Sequence, residues 1–220
     1  MKYLYLFLVT FYSYQYGISQ KNDVFSGELT YEIERVDIKD TIRSLMIIYA
    51  KDSLLKIVNF SSNSGKQELI KHLRLNRSFI LLETPEQNYA VRTNEHLSID
   101  SSENYTFKRK KGMRKIAGIP VKKLSLKHNK ISKALTFYYT ESISAKYANV
   151  YKNLPGLPLL FYLPTEDGLF KYTLKELKKN SPPLDLFIIP KGYKIVSFEE
   201  FTNEFSNSTV EENKKEGRNR

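Results

Sequence analysis

Alternation with period two constrains this chain more than any other feature. In FSGELTYEIERV, Phe25, Gly27, Leu29, Tyr31 and Ile33 alternate with polar neighbours, the pattern of a strand with one face buried and one wet. SLMIIYAKD and SLLKIVNF repeat it and read as an antiparallel pair joined near Lys51 and Asp52. KQELIKHLRL and SFILLETP follow, then YTFKRKKGM, VKKLSLKH and LTFYYTES, with Ser, Asn, Gly and Pro between the runs. In LTFYYTES the pattern sets Phe137 and Tyr139 on one face and Tyr138 and Thr140 on the other. KQELIKHLRL also fits a helix. SAKYANVYK is the one other helical candidate in this part of the chain, with Tyr147, Val150 and Tyr151 at helical spacing, but it is too short to stand alone. The expectation is a mainly β, meandering antiparallel fold in a single domain over 21–202.

The stretch YKNLPGLPLLFYLP tests that expectation, because three prolines and a glycine interrupt an apolar run. Leu154, Pro155, Gly156 and Leu157 fit a type II turn, with proline fixing φ at the second position and glycine supplying positive φ at the third. Pro158 then opens a strand where no ladder donor is needed, Leu159 to Leu163 form its two-sided apolar interior, and Pro164 closes it. TEDG turns the chain, and LFKYTLKEL returns with Phe170, Tyr172 and Leu174 facing away from Lys171, Thr173 and Lys175.

The ends differ from the middle. MKYLYLFLVTFYSYQYGISQ has a single basic residue, Lys2, an apolar stretch from Tyr3 to Tyr12, and Gly17 and Ser19 ahead of charged Lys21 and Asp23. That layout predicts a secretory signal peptide over 1–20 rather than a transmembrane anchor, since Thr10, Ser13, Gln15 and Ser19 interrupt the run well short of the ~20 apolar residues a span needs. The absence of cysteine excludes disulfides, thiolate metal sites, a catalytic thiol and a lipid-attachment cysteine after the leader. The expected location is therefore periplasmic or secreted, in a Gram-negative envelope. From 203 onward the chain is polar and charged, which predicts a disordered tail over 203–220.

Lysine and arginine total 35 against 24 acidic residues, a formal charge of +11. Such an excess favours anionic partners. In an envelope these are acidic membrane surfaces or proteins, and no nucleic acid is expected. The densest cluster, Lys108, Arg109, Lys110, Lys111, Arg114 and Lys115, reads either as a solvated loop or hairpin or as an anion-binding patch. It has no interleaved aromatic residue on which bases could stack.

No constellation of catalytic residues emerges. His72, His96 and His128 are scattered, without the spacing or paired carboxylate of a metal site. Glu166 with Asp167 and Glu199 with Glu200 are adjacent pairs, which on a strand point to opposite faces. There is no nucleophile elbow and no phosphate-binding glycine loop. Neither an enzyme nor a cofactor is expected.

Four segments together carry a family resemblance. NLPGLPLLFYL resembles the signature of the GLPGLI family of exported bacterial proteins, with Asn153 in place of its first glycine and Pro158 in place of its isoleucine. RKIAGIPVKKLSL and FYYTESIS resemble the segments upstream of that signature, and FIIPKGYK resembles the ending of the lipoprotein-carrier-like superfamily. The resemblance spans about Arg114 to Phe201. It implies a strongly curved antiparallel sheet, an incomplete barrel with one or two short covering helices, whose hollow takes a hydrophobic or lipid-like ligand. The candidate lining residues are Phe137, Tyr139, Leu157, Phe161 and Tyr162. The alternative is an envelope interaction or scaffold protein that docks through the basic patch, and an envelope hydrolase is the more distant one.

Overall fold

The computed structural model describes residues 24–38, 43–61, 65–93, 105–129, 131–148, 151, 154–165 and 167–204. The expected signal segment and all but the first two residues of the expected tail lie outside these. Twelve strands are present among the described residues: β1 (Ser26–Arg35), β2 (Arg43–Lys51), β3 (Leu54–Ser61), β4 (Gly65–His72), β5 (Arg77–Glu83), β6 (Asn88–Thr93), β7 (Tyr105–Ile116), β8 (Ile119–His128), β9 (Leu135–Thr140), β10 (Leu157–Thr165), β11 (Gly168–Lys178) and β12 (Lys194–Ser197). They form one sheet in the order β12-β6-β5-β4-β3-β2-β1-β11-β10-β9-β8-β7. All neighbours are antiparallel except β12, which runs parallel to β6.

The mainly β expectation holds as a single open, curved sheet with β7 and β12 at its edges. Alternation does most of the work. On β1, Leu29, Tyr31 and Ile33 enter the core, while Glu32 and Glu34 leave the other face to meet Lys175 and Lys171 of β11 at 2.9 Å and 2.8 Å. Curvature follows from which residues meet. Ile80 of β5 and Phe161 of β10 lie six strand positions apart, roughly 29 Å in a flat sheet, yet both line one cavity.

The inner face carries the main core, built from β1–β3 and β7–β11. A segment after β9 covers part of it. The helix anticipated in SAKYANVYK is in fact a single 3-10 turn, Ala145–Tyr147, capped by Ser144. Tyr147 fixes this cover: its phenol accepts from Phe25 N at 2.8 Å and donates to Asp52 O at 2.9 Å, bonding the cover to the first hairpin. A smaller cluster of Ile70, Leu81 and Ala90 sits on the opposite face of β4–β6, under Ile189 and Tyr193. KQELIKHLRL is a strand, β4, rather than a helix. Neither β6 nor β12 nor the helical segment 198–204 was anticipated.

The LPGLP stretch departs from its expected geometry. A type II turn requires positive φ at Gly156, and Gly156 is not in that region. The glycine is needed for space instead: a Cβ there would stand 2.0 Å from Thr140 O and 3.0 Å from Glu141 Cα. Close backbone approach is completed by Leu157 N, which donates to Ile143 O at 2.8 Å. β10 also begins earlier and ends later than the five residues expected. Pro158 pairs with Tyr139 and Leu160 with Tyr138, so the strand carries a bulge at Leu159, where a missing ladder donor is tolerated. Pro164 stays within the strand, opposite Leu169.

Candidate functional site

A cavity of about 440 Å³ opens on the inner face where the first five strands curve toward β10 and β11. Register explains its walls. Met46 pairs with Asn59, Asn59 with Gln67, Ile57 with Leu69, and Leu69 with Ile80, so alternate residues of β2 through β5 align along one face. Phe161 and Leu163 of β10, Tyr172 of β11 and Ala148 of the covering segment complete the enclosure.

The floor is aromatic. Phe161 stacks on Tyr172 at 4.7 Å between ring centroids with an interplanar angle of 8°, and meets Tyr31 edge to face at 5.8 Å. Burial pushes the phenols of Tyr31 and Tyr172 above their ordinary range, so both stay neutral at physiological pH. Tyr31 spends its proton on Pro158 O at 2.8 Å, which holds the floor to the bulge in β10. The wall has one conspicuous polar defect. Asn59 Oδ1 is buried and has no hydrogen-bond partner, an arrangement that is destabilising by about 1–3 kcal/mol unless something donates to it. The alternate residue on β4, Glu68, is held by Lys56 at 2.8 Å and by Lys66. Burial would raise its carboxyl, but these hydrogen bonds outweigh that and keep it below the ordinary carboxylate range.

The structure distributes the five anticipated lining residues unevenly. Phe161 lines the cavity. Phe137, Tyr139 and Leu157 are 0%, 1% and 0% exposed within the core. Tyr162 packs its ring 6.1 Å from Phe137, and its carbonyl accepts the Tyr151 phenol at 2.7 Å. Sequence reasoning missed Met46, Ile57, Asn59, Leu69, Ile80, Leu82, Leu163 and Tyr172. Their signal is shared face, which becomes visible only once strand register is known.

The turn signature Leu154, Pro155, Gly156, Leu157 and Pro158 is part of the cover and of the start of β10 rather than of the cavity wall. Lys108, Arg109, Lys110, Lys111, Arg114 and Lys115 all lie exposed on the edge strand β7, in a β7–β8 hairpin. Arg114 rests over the Tyr138 ring at 4.2 Å. His72 Nδ1 accepts from Leu75 N at 3.2 Å, a turn contact. Glu199 and Glu200 sit in the helical segment 198–204 rather than on a strand, while His96 and Glu166 lie outside the described residues. Among the described residues no helix is long and apolar enough to cross a membrane.

No family model and no curated protein matches the chain. Among solved structures, one of PNGF-II is similar at 16% sequence identity and a TM-score of 0.37, with 78% of this chain aligned to 31% of that one. The chain thus spans about a third of that protein's length.

Proposed function

We propose that this chain is an exported, non-enzymatic binding protein that takes an amphiphile into the hollow of its curved sheet. One observation carries the reading: an apolar, aromatic-floored cavity of about 440 Å³ whose wall includes the unpartnered Asn59 Oδ1. That volume falls within the ~300–1,000 Å³ of small-molecule sites, which combine apolar walls with a few orienting polar groups. An acyl chain would cover Met46, Leu69, Ile80 and Leu163, and a hydroxyl or amide N–H on the same ligand would donate to Asn59. The resemblance to lipoprotein-carrier-like proteins points the same way.

Native mass spectrometry of the full chain purified from a Gram-negative host, followed by organic extraction, tests this. The expected result is co-purified lipid near one per chain, lost in a Leu69→Trp variant that fills the cavity and keeps the wild-type circular dichroism. An apo mass unchanged on adding fatty acid, fatty alcohol or phospholipid overturns the reading.

A further inference from the structure

The edge strand β7 carries six cations, and none of them has an ion-pair partner among the described residues. Elsewhere on the sheet many cations are matched, Lys56 and Lys66 with Glu68, Lys171 with Glu34, Lys175 with Glu32 and Lys194 with Glu204, and the unmatched ones, such as Arg77 and Arg92, are scattered rather than clustered. The acid beside β7, Glu141, is engaged by Lys122 at 2.5 Å and also feels the charge of Arg109, which leaves the other five cations of the strip without an acid among the described residues. Charged side chains, lysine above all, protect a sheet edge from pairing with another chain. Six leave a concentrated positive field that the neighbouring residues do not balance.

The backbone adds a second feature. Lys110 pairs with Lys123 and Met113 with Lys122, so Lys111 and Gly112 are extra residues that push the edge outward, with φ of 131° at Gly112. At this bulge Met113 is 82% exposed, more than any other large apolar side chain described. A methionine held out in water between Lys111 and Arg114 adds nothing to the fold. Arg114, braced on the Tyr138 ring at 4.2 Å, keeps one flank of the bulge in place.

We propose that the bulged β7 edge docks this protein onto an anionic lipid bilayer, the cations contacting headgroups while Met113 enters between them. An unpaired cationic strip with an apolar tip matches the two layers of a bilayer surface, anionic outside and hydrocarbon beneath. A polynucleotide would instead need open ring faces for its bases. Here Phe107 is partly buried and stacked on Tyr105, and Arg114 covers Tyr138.

The chain contains no tryptophan, so Met113→Trp places a single reporter at the tip. The full-length variant would be mixed with vesicles of phosphatidylcholine alone, or of phosphatidylcholine with phosphatidylglycerol, the latter also with brominated acyl chains. The expected result is a blue shift and bromine quenching with the anionic vesicles only. Lys110→Glu with Lys111→Glu in the same background should weaken binding by about 25-fold or more, since each basic residue near an anionic leaflet strengthens it about fivefold. Added salt should weaken it further. If the charge reversals disturb folding by circular dichroism, Lys110→Gln with Lys111→Gln gives the same readout with a smaller effect. Three results each overturn the proposal: indole emission of the Met113→Trp variant unmoved while the protein floats with vesicles, which puts the contact elsewhere on the protein; an equal response to phosphatidylcholine alone; or a response to single-stranded DNA and none to vesicles.

Discussion

Tyr31 donates its phenolic proton to the carbonyl of Pro158 over 2.8 Å, joining β1 to β10 across the intervening β11. Tyr31 is fully buried and also packs on Phe161, so the bond sets the cavity floor as well as the strand spacing. Tyr31→Phe keeps the ring and removes one buried hydrogen bond, with an expected loss of about 0.5–1.5 kcal/mol. Urea unfolding measures it, and an unchanged midpoint would show that the bond contributes nothing.

Gly156 lies where an added side chain meets backbone, 2.0 Å from Thr140 O. Because Gly156 does not have positive φ, the conflict is one of volume rather than of backbone conformation. Gly156→Ala is expected to destabilise by about 1–3 kcal/mol, the range of a forced overpacking. Thermal melting tests this, and a shift no larger than that of a surface alanine substitution would contradict it.

Ala117 and Gly118 form the two-residue turn between β7 and β8, with φ of 47° and 76°. Both values are positive, as the turns that match strand twist require, and alanine is poorly suited to that region. Ala117→Asn should stabilise by about 0.5–1 kcal/mol by relieving the strain at a solvent-exposed site. A lower denaturant midpoint for this variant would contradict the turn geometry.

Stability should decline at both ends of the pH scale for separate reasons. The hydrogen bond from Lys171 holds the Glu34 carboxyl below its ordinary 4.5. A lowered folded pKa gives stabilisation that is present above pH 4.5 and lost as pH falls through the folded value, so Glu34→Gln should flatten the acid limb. Burial, aided by acceptance at Glu83, pushes the Tyr193 phenol up to about 12 from 10.0. A raised folded pKa gives the opposite window: the contribution is intact below pH 10 and lost as pH rises toward 12. Tyr193→Phe should remove part of the alkaline loss, with Tyr31 and Tyr172 supplying the rest. Chemical denaturation across pH gives both slopes, and mutants parallel to wild type would refute the assignments.

Strands with strict alternation were legible in the sequence because one residue of each pair must face the core; β1 and β2 are of this kind. β6 was not, since Asn88 and Arg92 bracket a short run, and β12 was not, because four residues beside a parallel neighbour carry no period of their own. The cavity was the hardest part to foresee. Phe161 stands out as a large aromatic in an apolar run, but Asn59, Leu69 and Ile80 become neighbours through successive registers that no local pattern encodes. Gly156 shows the same limit in reverse: the residue was recognised as special, and its reason, a neighbouring backbone, lay outside its own segment.

The central pairing of Glu28 with Lys178 and of Arg35 with Phe170 joins the first strand to the eleventh. Hairpins on either side can form as soon as their own residues exist, yet the middle of the sheet stays split into two ribbons until nearly the whole chain is available. Closing so long a loop is the slow entropic step. The sheet is therefore two ribbons of mostly local pairings sewn together along one seam, and that seam is the place where the two ends of the chain must find each other.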